Sequence, residues 1–175
     1  MSRRLCACWP TACPRDDGPG VTPGPLQIAP LIDVPELIGD IADLYTTVWP
    51  GWYGPTGPGD ALTDLTERCR ATGLPLGLVL LSGRDLVGAA ALAAVSFGAM
   101  AGEGPWLIGL VITPAQRRQG HATRLIARAE AEARAAGAQW LYCTTDLAAG
   151  LLIRRGWTDL RRAGEGPDRV YRLTL

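Results

Sequence analysis

Apolar residues recur along this chain with two different spacings, and the change between them predicts where strands and helices lie. Residues 76–82 and 106–112 are nearly unbroken apolar runs, with the length and composition of buried strands. Between residues 120 and 136, apolar positions return every three or four residues with arginines and glutamates between them, which predicts an amphipathic helix. The chain therefore combines strands and helices in one mixed α/β arrangement.

The same reading along the whole chain predicts the element order β-α-α-β-β-β-α-β-α-β-β. Asp33 and Glu36 have the spacing of a capping box for the first helix, and Asp60 is expected to cap a second helix that ends at Gly73. Strands are predicted at 26–31, 76–82, 86–95, 106–112, 140–144, 157–163 and 169–175, and the later helices at 120–136 and 147–155.

The first 25 residues differ from the rest of the chain. They contain five prolines and no apolar periodicity, so we predict a flexible arm at 1–25 and a single domain at 26–175. Cys6, Cys8 and Cys13 lie in this arm, but neither a fourth ligand nor a histidine is near them in the sequence. No metal site is therefore predicted.

Charge and hydropathy narrow the class of protein. The chain has 17 basic and 17 acidic residues, so its formal net charge is zero and no basic surface for nucleic acid is expected. The apolar stretches are too short to span a bilayer, so no membrane association is expected and the predicted location is the cytoplasm. All basic residues are arginines, which excludes a lysine nucleophile or Schiff base.

Residues 117–122 stand between the predicted strand 106–112 and the predicted helix 120–136. A strand, a short loop rich in donors and a helix N-terminus together form an anion cradle, because free N–H groups and the positive helix end face the same point. Gly120 allows close backbone approach. No Gly-Lys-Ser/Thr follows and only one glycine is present, so this is neither a Walker loop nor a dinucleotide fingerprint.

This stretch resembles the acyl-CoA-binding motif of the GNAT superfamily of N-acetyltransferases, Arg/Gln-x-x-Gly-x-Gly/Ala, with Arg117, Gly120 and Ala122 at the specified positions. The strand after Pro105, the strand at 140–145 and the pair Gly156-Trp157 continue the likeness. The resemblance implies a mixed, mostly antiparallel sheet of six to seven strands flanked by about four helices, and acetyl-CoA as the cofactor. The implied cofactor-binding residues are Leu110, Val111, Ile112, Arg117, Arg118, Gln119, Gly120, His121, Ala122 and Thr123.

The resemblance also implies that the acceptor is a primary amine of a small molecule or a peptide, and that it binds under the N-terminal helices. The protein is expected to be a monomer or a homodimer. Trp49, Trp52, Tyr53 and Asp60 are the predicted acceptor-side residues, since aromatic rings and a carboxylate suit a cationic or peptide-like substrate. The alternative is that the rings fill core space and the acid only caps a helix.

Two departures from the family concern proton transfer. The central strand lacks the glutamate that many members use as a base, so Glu103 and Asp146 are the candidate catalytic carboxylates, with solvated loop acids as the alternative. Leu152 stands where the family often has a tyrosine that protonates the leaving thiolate, and Tyr142 is the nearest other donor in sequence. These departures leave open a non-catalytic acyl-CoA-binding or regulatory protein as the second hypothesis.

Overall fold

The structure is a computed structural model that describes residues 24–175. The predicted arm, with Cys6, Cys8 and Cys13, lies outside these residues apart from its last two positions. There the Ser82 hydroxyl donates to the Gly24 carbonyl over 3.1 Å, and the Gly83 N–H donates to the Pro25 carbonyl over 3.2 Å. The start of the described chain is thus fastened to a hairpin turn. The division into an arm and a single domain stays a prediction.

Seven strands form one sheet in the order β1-β2-β3-β4-β5-β7-β6. All neighbours are antiparallel except β4 and β5, which run parallel because a helix connects them. This confirms the predicted mixed, mostly antiparallel sheet. The strands are β1 (Leu26–Pro30), β2 (Leu76–Ser82), β3 (Asp85–Ala93), β4 (Trp106–Ile112), β5 (Trp140–Thr145), β6 (Thr158–Arg162) and β7 (Arg169–Thr174).

Five α-helical segments accompany the sheet, one more than the predicted four, because the aromatic segment after the first helix forms a short helix of its own. None of the helices within residues 24–175 is long and apolar enough to cross a bilayer. The helices are α1 (Ile38–Val48), α2 (Pro50–Tyr53), α3 (Ala61–Glu67), α4 (His121–Ala135) and α5 (Ala149–Arg154).

The predicted start of the first helix is wrong. Helix α1 begins at Ile38 with no side-chain cap, and two single 3-10 turns precede it. The cause is Pro35, since a proline disfavours α-helical geometry in the residue before it, and Val34 indeed has φ −140° and ψ 50°. A helix capped at Asp33 cannot pass through that position.

The second helix begins as predicted and ends early. The Asp60 carboxylate accepts a hydrogen bond from the Thr63 N–H over 2.8 Å, which confirms the cap. Helix α3 ends at Glu67 rather than at Gly73, because the carbonyl of Arg68 accepts the N–H of Gly77 at the start of β2 over 2.8 Å. The chain leaves the helix there to enter the sheet.

The buried residues form three clusters, and the two largest lie on opposite faces of the sheet. Helix α4 packs on one face through Leu125, Ile126, Ala129 and Ala133, as its periodicity predicts. Helices α1 and α3 cover the other face. The arginines and glutamates between the apolar positions of α4 are expected outside, and for Glu130 that expectation is wrong because its side chain is buried.

Candidate active site

Strands β4 and β5 are paired for only two positions and then part. Trp106 pairs with Tyr142 and Leu107 with Cys143, and no further pair follows along either strand of the described chain. From residue 108 onward the edge of β4 that faces β5 is free, although its other edge stays paired with β3. The opening is therefore a gap in the sheet itself.

A β-bulge lies on β4 just beyond the last pair with β5. Ala89 pairs with Val111 and Ala91 pairs with Ile108, so β4 carries one residue more than β3 over this interval. Gly109 lies in the extra stretch with a φ of +58°, a conformation that a glycine adopts without strain. Bulges bend a strand and increase its twist, which accounts for the parting of β4 from β5.

The gap widens into a groove of about 980 Å³. One wall is β4 from Leu107 to Ile112, and the other is the end of β5 with the segment 146–148. The loop before α4 and the first turn of α4 close one end, and the end of α1 contributes Thr47, Val48 and Trp49. A cleft of this size is within the range of small-molecule and cofactor sites.

The loop before α4 offers a row of unused backbone donors to this groove. Within residues 24–175, no backbone or side-chain acceptor takes the N–H groups of residues 118–123. Arg118 and Gly120 have left-handed φ values of 62° and 80°, and a Cβ added to Gly120 would meet no atom within 4 Å. Free donors, open space and the positive end of a 15-residue helix together form an anion site.

The side chains of the loop have distinct roles. Arg117 donates from Nε to the Ile112 carbonyl over 3.1 Å, which holds the loop against the end of β4. Gln119 donates to the Ala115 carbonyl over 3.4 Å and does not line the groove. His121 is buried, lines the groove, and its Nδ1 has no hydrogen-bond partner in the described chain. A buried polar atom of this kind normally has a partner, so a ligand group is expected there.

Most of the predicted cofactor residues thus meet in one place. All of them except Gln119 line the groove: Leu110, Val111, Ile112, Arg117, Arg118, Gly120, His121, Ala122 and Thr123.

The four predicted acceptor-side residues do not lie together in the groove. Trp49 lines the groove, but Trp52 is 55% exposed and lies off it. The Tyr53 hydroxyl donates to Asp64 over 2.6 Å, and Tyr53 packs among the aromatic residues under α1. Asp60 caps α3. Of these four residues, the geometry leaves only Trp49 as a wall of the groove.

Glu103 does not lie on the groove. Its two carboxylate oxygens accept from Nη1 and Nη2 of Arg161 over 2.8 and 2.6 Å, and Oε2 also accepts the Met100 N–H over 2.9 Å. The bonds from Arg161 hold the pKa of the Glu103 carboxyl below its usual value. Glu103 therefore fastens the β3–β4 loop to β6, and we do not propose it as the base.

Replacing Glu103 with glutamine is expected to lower stability by about 1–3 kcal/mol at neutral pH, because Arg161 loses a charged partner. A carboxyl whose folded pKa is lowered stabilises above its ordinary pKa, and that contribution disappears as the pH falls through the folded value. The stability gap between wild type and Glu103→Gln should therefore close below pH about 4.5. Thermal melts across pH measure this, and a loss of the acidic limb of kcat/KM in the variant would restore Glu103 as a base.

Asp168 and Cys143 are among the groove residues that the sequence reasoning missed. Asp168 lies in the turn before β7, and the register Thr145↔Arg169 brings it beside Asp146 at the end of β5. Cys143 lines the groove where the strands part, and burial raises the pKa of its thiol to about 12. It therefore stays protonated and is not a nucleophile. Neither residue belongs to a sequence motif. Their positions on the groove follow from the pairing of β5 with its neighbouring strands.

Neither position considered for thiolate protonation, 142 or 152, lies on the groove, and both side chains are buried. Leu152 is fully buried and off the groove, and α5 presents Leu151 and Arg154 to the groove instead. Tyr142 is buried against Trp106, with ring centroids 5.2 Å apart, and does not line the groove. A tyrosine introduced at position 152 would have to enter the core, so Leu152→Tyr is not expected to raise kcat.

Metal ligands do not assemble here. Within residues 24–175 there is no group of three or more histidine, cysteine, aspartate or glutamate side chains placed to hold a metal ion.

A sequence comparison identifies the family. The model of the Acetyltransferase (GNAT) family matches residues 39–156, which is more than half of the chain. The protein therefore belongs to the GNAT family of acetyltransferases, and acetyl-CoA is its cosubstrate. No curated protein matches the chain in sequence.

Solved structures show the same fold at low identity. Aminoglycoside 6'-acetyltransferase type Ii is 21% identical with a TM-score of 0.67, over 85% of this chain and 96% of that one. An aminoglycoside 6'-N-acetyltransferase complexed with coenzyme A is 18% identical with a TM-score of 0.66, over 85% and 96%. A GNAT acetyltransferase from Brucella melitensis in complex with acetyl-CoA is 20% identical with a TM-score of 0.58, over 86% and 88%.

The residues of the groove fit acetyl-CoA. Its phosphates need donors and positive potential, which the N–H groups of residues 118–123 and the start of α4 provide. Its amide-containing arm needs backbone partners, which the free edge of β4 offers. The open space at Gly120 permits the close approach of the phosphates to the backbone of the loop.

Proposed function

We propose that the protein transfers the acetyl group of acetyl-CoA to a primary amine of a small molecule or a peptide. One observation carries this proposal: residues 118 and 120–123, whose N–H groups are unpaired within the described chain, line a groove that runs along the free edge of β4 to the point where the sheet splits. A ligand held by phosphates at one end of β4 would have its other end near Gly109. Acetyl-CoA bound there supplies the acetyl group as a thioester.

Different residues along the groove bind different parts of acetyl-CoA. Residues 118–123 bind the phosphates, and Arg118 and Arg154 on the groove wall add positive charge. The backbone of β4 orients the arm, and the bulge at Gly109 presents backbone groups toward the acetyl end. Cys143 and Leu107 form an apolar floor where the strands rejoin, which limits water at that end.

The charge of the groove supports an amine acceptor. Asp146 and Asp168 both line it, and a positively charged amine is attracted by two carboxylates. Trp49 adds an aromatic wall that suits a cationic group. Two of the similar structures are aminoglycoside acetyltransferases, whose named substrates carry several amines, so such compounds belong among the acceptors to be tested. The monomeric or homodimeric state stays a prediction.

Asp146 is the carboxylate that we propose as the base, since of the two sequence candidates only Asp146 lines the groove. Asp146→Asn is expected to lower kcat/KM by roughly 10²-fold and to flatten its acidic limb, because general-base catalysis contributes on that scale. Steady-state rates across pH measure this. Wild-type rates with weakened acetyl-CoA binding would instead make Asp146 a cofactor contact.

The proposal is tested by thiol release from acetyl-CoA with a panel of acceptors: a polyamine, an aminoglycoside, a free amino acid and a peptide with a free N-terminus. We expect amine-dependent release for at least one class. Binding of acetyl-CoA without turnover on any of them would favour the non-catalytic alternative. An N-acetylated product identified by mass spectrometry separates transfer from simple thioester hydrolysis.

A further inference from the structure

A buried polar network lies behind the bulge of β4, on the face of the sheet covered by α1 and α3. At its centre is Tyr45, which is 1% exposed and donates from its hydroxyl to the Gly109 carbonyl over 3.0 Å. This bond joins residues that are 64 positions apart in the sequence. Within residues 24–175, no other side chain forms a hydrogen bond with the bulge.

The fit between Tyr45 and Gly109 is close. A Cβ at Gly109 would lie 2.3 Å from the Tyr45 hydroxyl oxygen, a distance that real Cβ contacts do not show. The left-handed backbone of Gly109 and the position of the hydroxyl therefore depend on each other. Rotating the Gly109 peptide would leave both its carbonyl and the buried hydroxyl without a partner, which costs free energy on both sides.

The Tyr45 ring is itself held from several sides. It stacks on Tyr53 with centroids 5.5 Å apart, and Trp49 meets it edge-on at 5.0 Å. The Arg68 guanidinium lies 5.8 Å from the ring centroid and donates to Asp64 over 2.7 Å. The ring has no freedom to turn the hydroxyl away from β4. Because Trp49 also lines the groove, the same cluster connects the bulge to the groove wall.

The hydroxyl also keeps its proton. Burial raises the pKa of Tyr45 to about 12, although the nearby Arg68 charge acts in the opposite direction. The phenol therefore remains a hydrogen-bond donor at neutral pH.

We propose that Tyr45 is a positioning residue: its hydroxyl fixes the Gly109 peptide and so the orientation of the backbone groups that β4 presents to the acetyl end of the cosubstrate. This inference depends on the proposed function in one respect, which is the position of the acetyl group in the groove. Tyr45 does not touch the groove, so its effect passes through Gly109, while the phosphate site at the other end of β4 is independent of it.

The test compares Tyr45→Phe with Thr46→Val. Phenylalanine keeps the ring and its packing and removes only the hydroxyl. Thr46 is the next residue of α1, and its hydroxyl donates to the Ala42 carbonyl over 3.0 Å and lies 3.5 Å from the Tyr53 carbonyl. Neither acceptor is on β4, so Thr46→Val is the matched loss of a hydroxyl that leaves Gly109 untouched. Calorimetric affinities for CoA and for acetyl-CoA, and amide hydrogen exchange of residues 108–111, are measured on both variants.

For Tyr45→Phe we expect an unchanged affinity for CoA, a roughly three- to tenfold loss of affinity for acetyl-CoA, and faster exchange confined to residues 108–111, on the scale of one hydrogen bond. Thr46→Val should match wild type in all three. Where an acceptor is known, the KM for acetyl-CoA should rise in step with the loss of affinity, and kcat/KM should fall.

The proposal is overturned if Tyr45→Phe binds acetyl-CoA as wild type does and exchange at 108–111 is unchanged. It is also overturned if both ligands weaken equally and exchange rises throughout the sheet, since that is the result of general destabilisation. Neither binding nor exchange depends on turnover, so a wild-type protein that acetylates no amine would contradict the proposed function and still leave this test decisive.

Discussion

Replacing Gly120 with valine is expected to weaken acetyl-CoA binding by roughly 10- to 100-fold, the equivalent of one or two charge-assisted hydrogen bonds. Gly120 has a φ of 80° and open space where a Cβ would go, so the protein itself does not fill that space. Two branched methyl groups would fill it and keep phosphates from the N–H groups behind. Calorimetric titration of the folded variant with acetyl-CoA measures the loss.

The matched control is Gly137→Val at the other end of the same helix. Gly137 has a φ of 79° and, like Gly120, nothing within 4 Å of an added Cβ. Both substitutions therefore introduce the same left-handed strain, on the order of 1–3 kcal/mol, but only one lies on the groove. Gly137→Val should lose stability and keep its acetyl-CoA affinity. Equal affinity losses in the two variants would mean that strain, and not obstruction of a phosphate site, explains the effect.

Replacing Glu130 with alanine is expected to destabilise the protein by about 3–5 kcal/mol, the cost of breaking a buried ion pair. The Glu130 carboxylate accepts from Arg155 over 3.0 and 2.6 Å and from the Trp157 indole over 3.1 Å. This ties α4 to the end of α5 and the start of β6, behind the groove wall that α5 provides. Denaturant unfolding measures the change, since without Glu130 an arginine and an indole N–H remain unpaired.

Glu132→Ala on the same helix is the control. Glu132 pairs with Arg128 over 2.6 Å, but both side chains are about one-third exposed, at 29% and 36%. An exposed pair of this kind contributes only about 0.2–1 kcal/mol. Similar losses for the two variants would show that Glu130 contributes no more than a surface pair, and that α5 is held by its apolar contacts alone.

The strand, loop and helix of the proposed phosphate site could be placed from sequence because they are adjacent along the chain. The strand, the loop and the helix N-terminus follow one another from Trp106 to Ala135, so local periodicity and one glycine are enough to place them. The same holds for the two-residue turn between Ser82 and Asp85, where hairpin pairing fixes the register.

The parts of the site that could not be predicted depend on partners far away in sequence. The sequence around Glu103 is compatible with a catalytic base, but the side chain of Arg161, 58 residues later, binds its carboxylate. Glu130 lies at the edge of the apolar face of α4, next to Ile126 and Ala133, and its partners at 155 and 157 cover it there. The spacing of charges within one helix carries no information about which other element will pack over it.

The central claim, that residues 118–123 hold the phosphates of acetyl-CoA, is tested most directly by backbone amide NMR of the wild-type protein during titration with acetyl-CoA. The account predicts that the amide protons of residues 118–123 shift downfield and become protected from exchange, with smaller changes along the free edge of β4. Saturable binding that leaves these amides unchanged, and protects another surface instead, would contradict it.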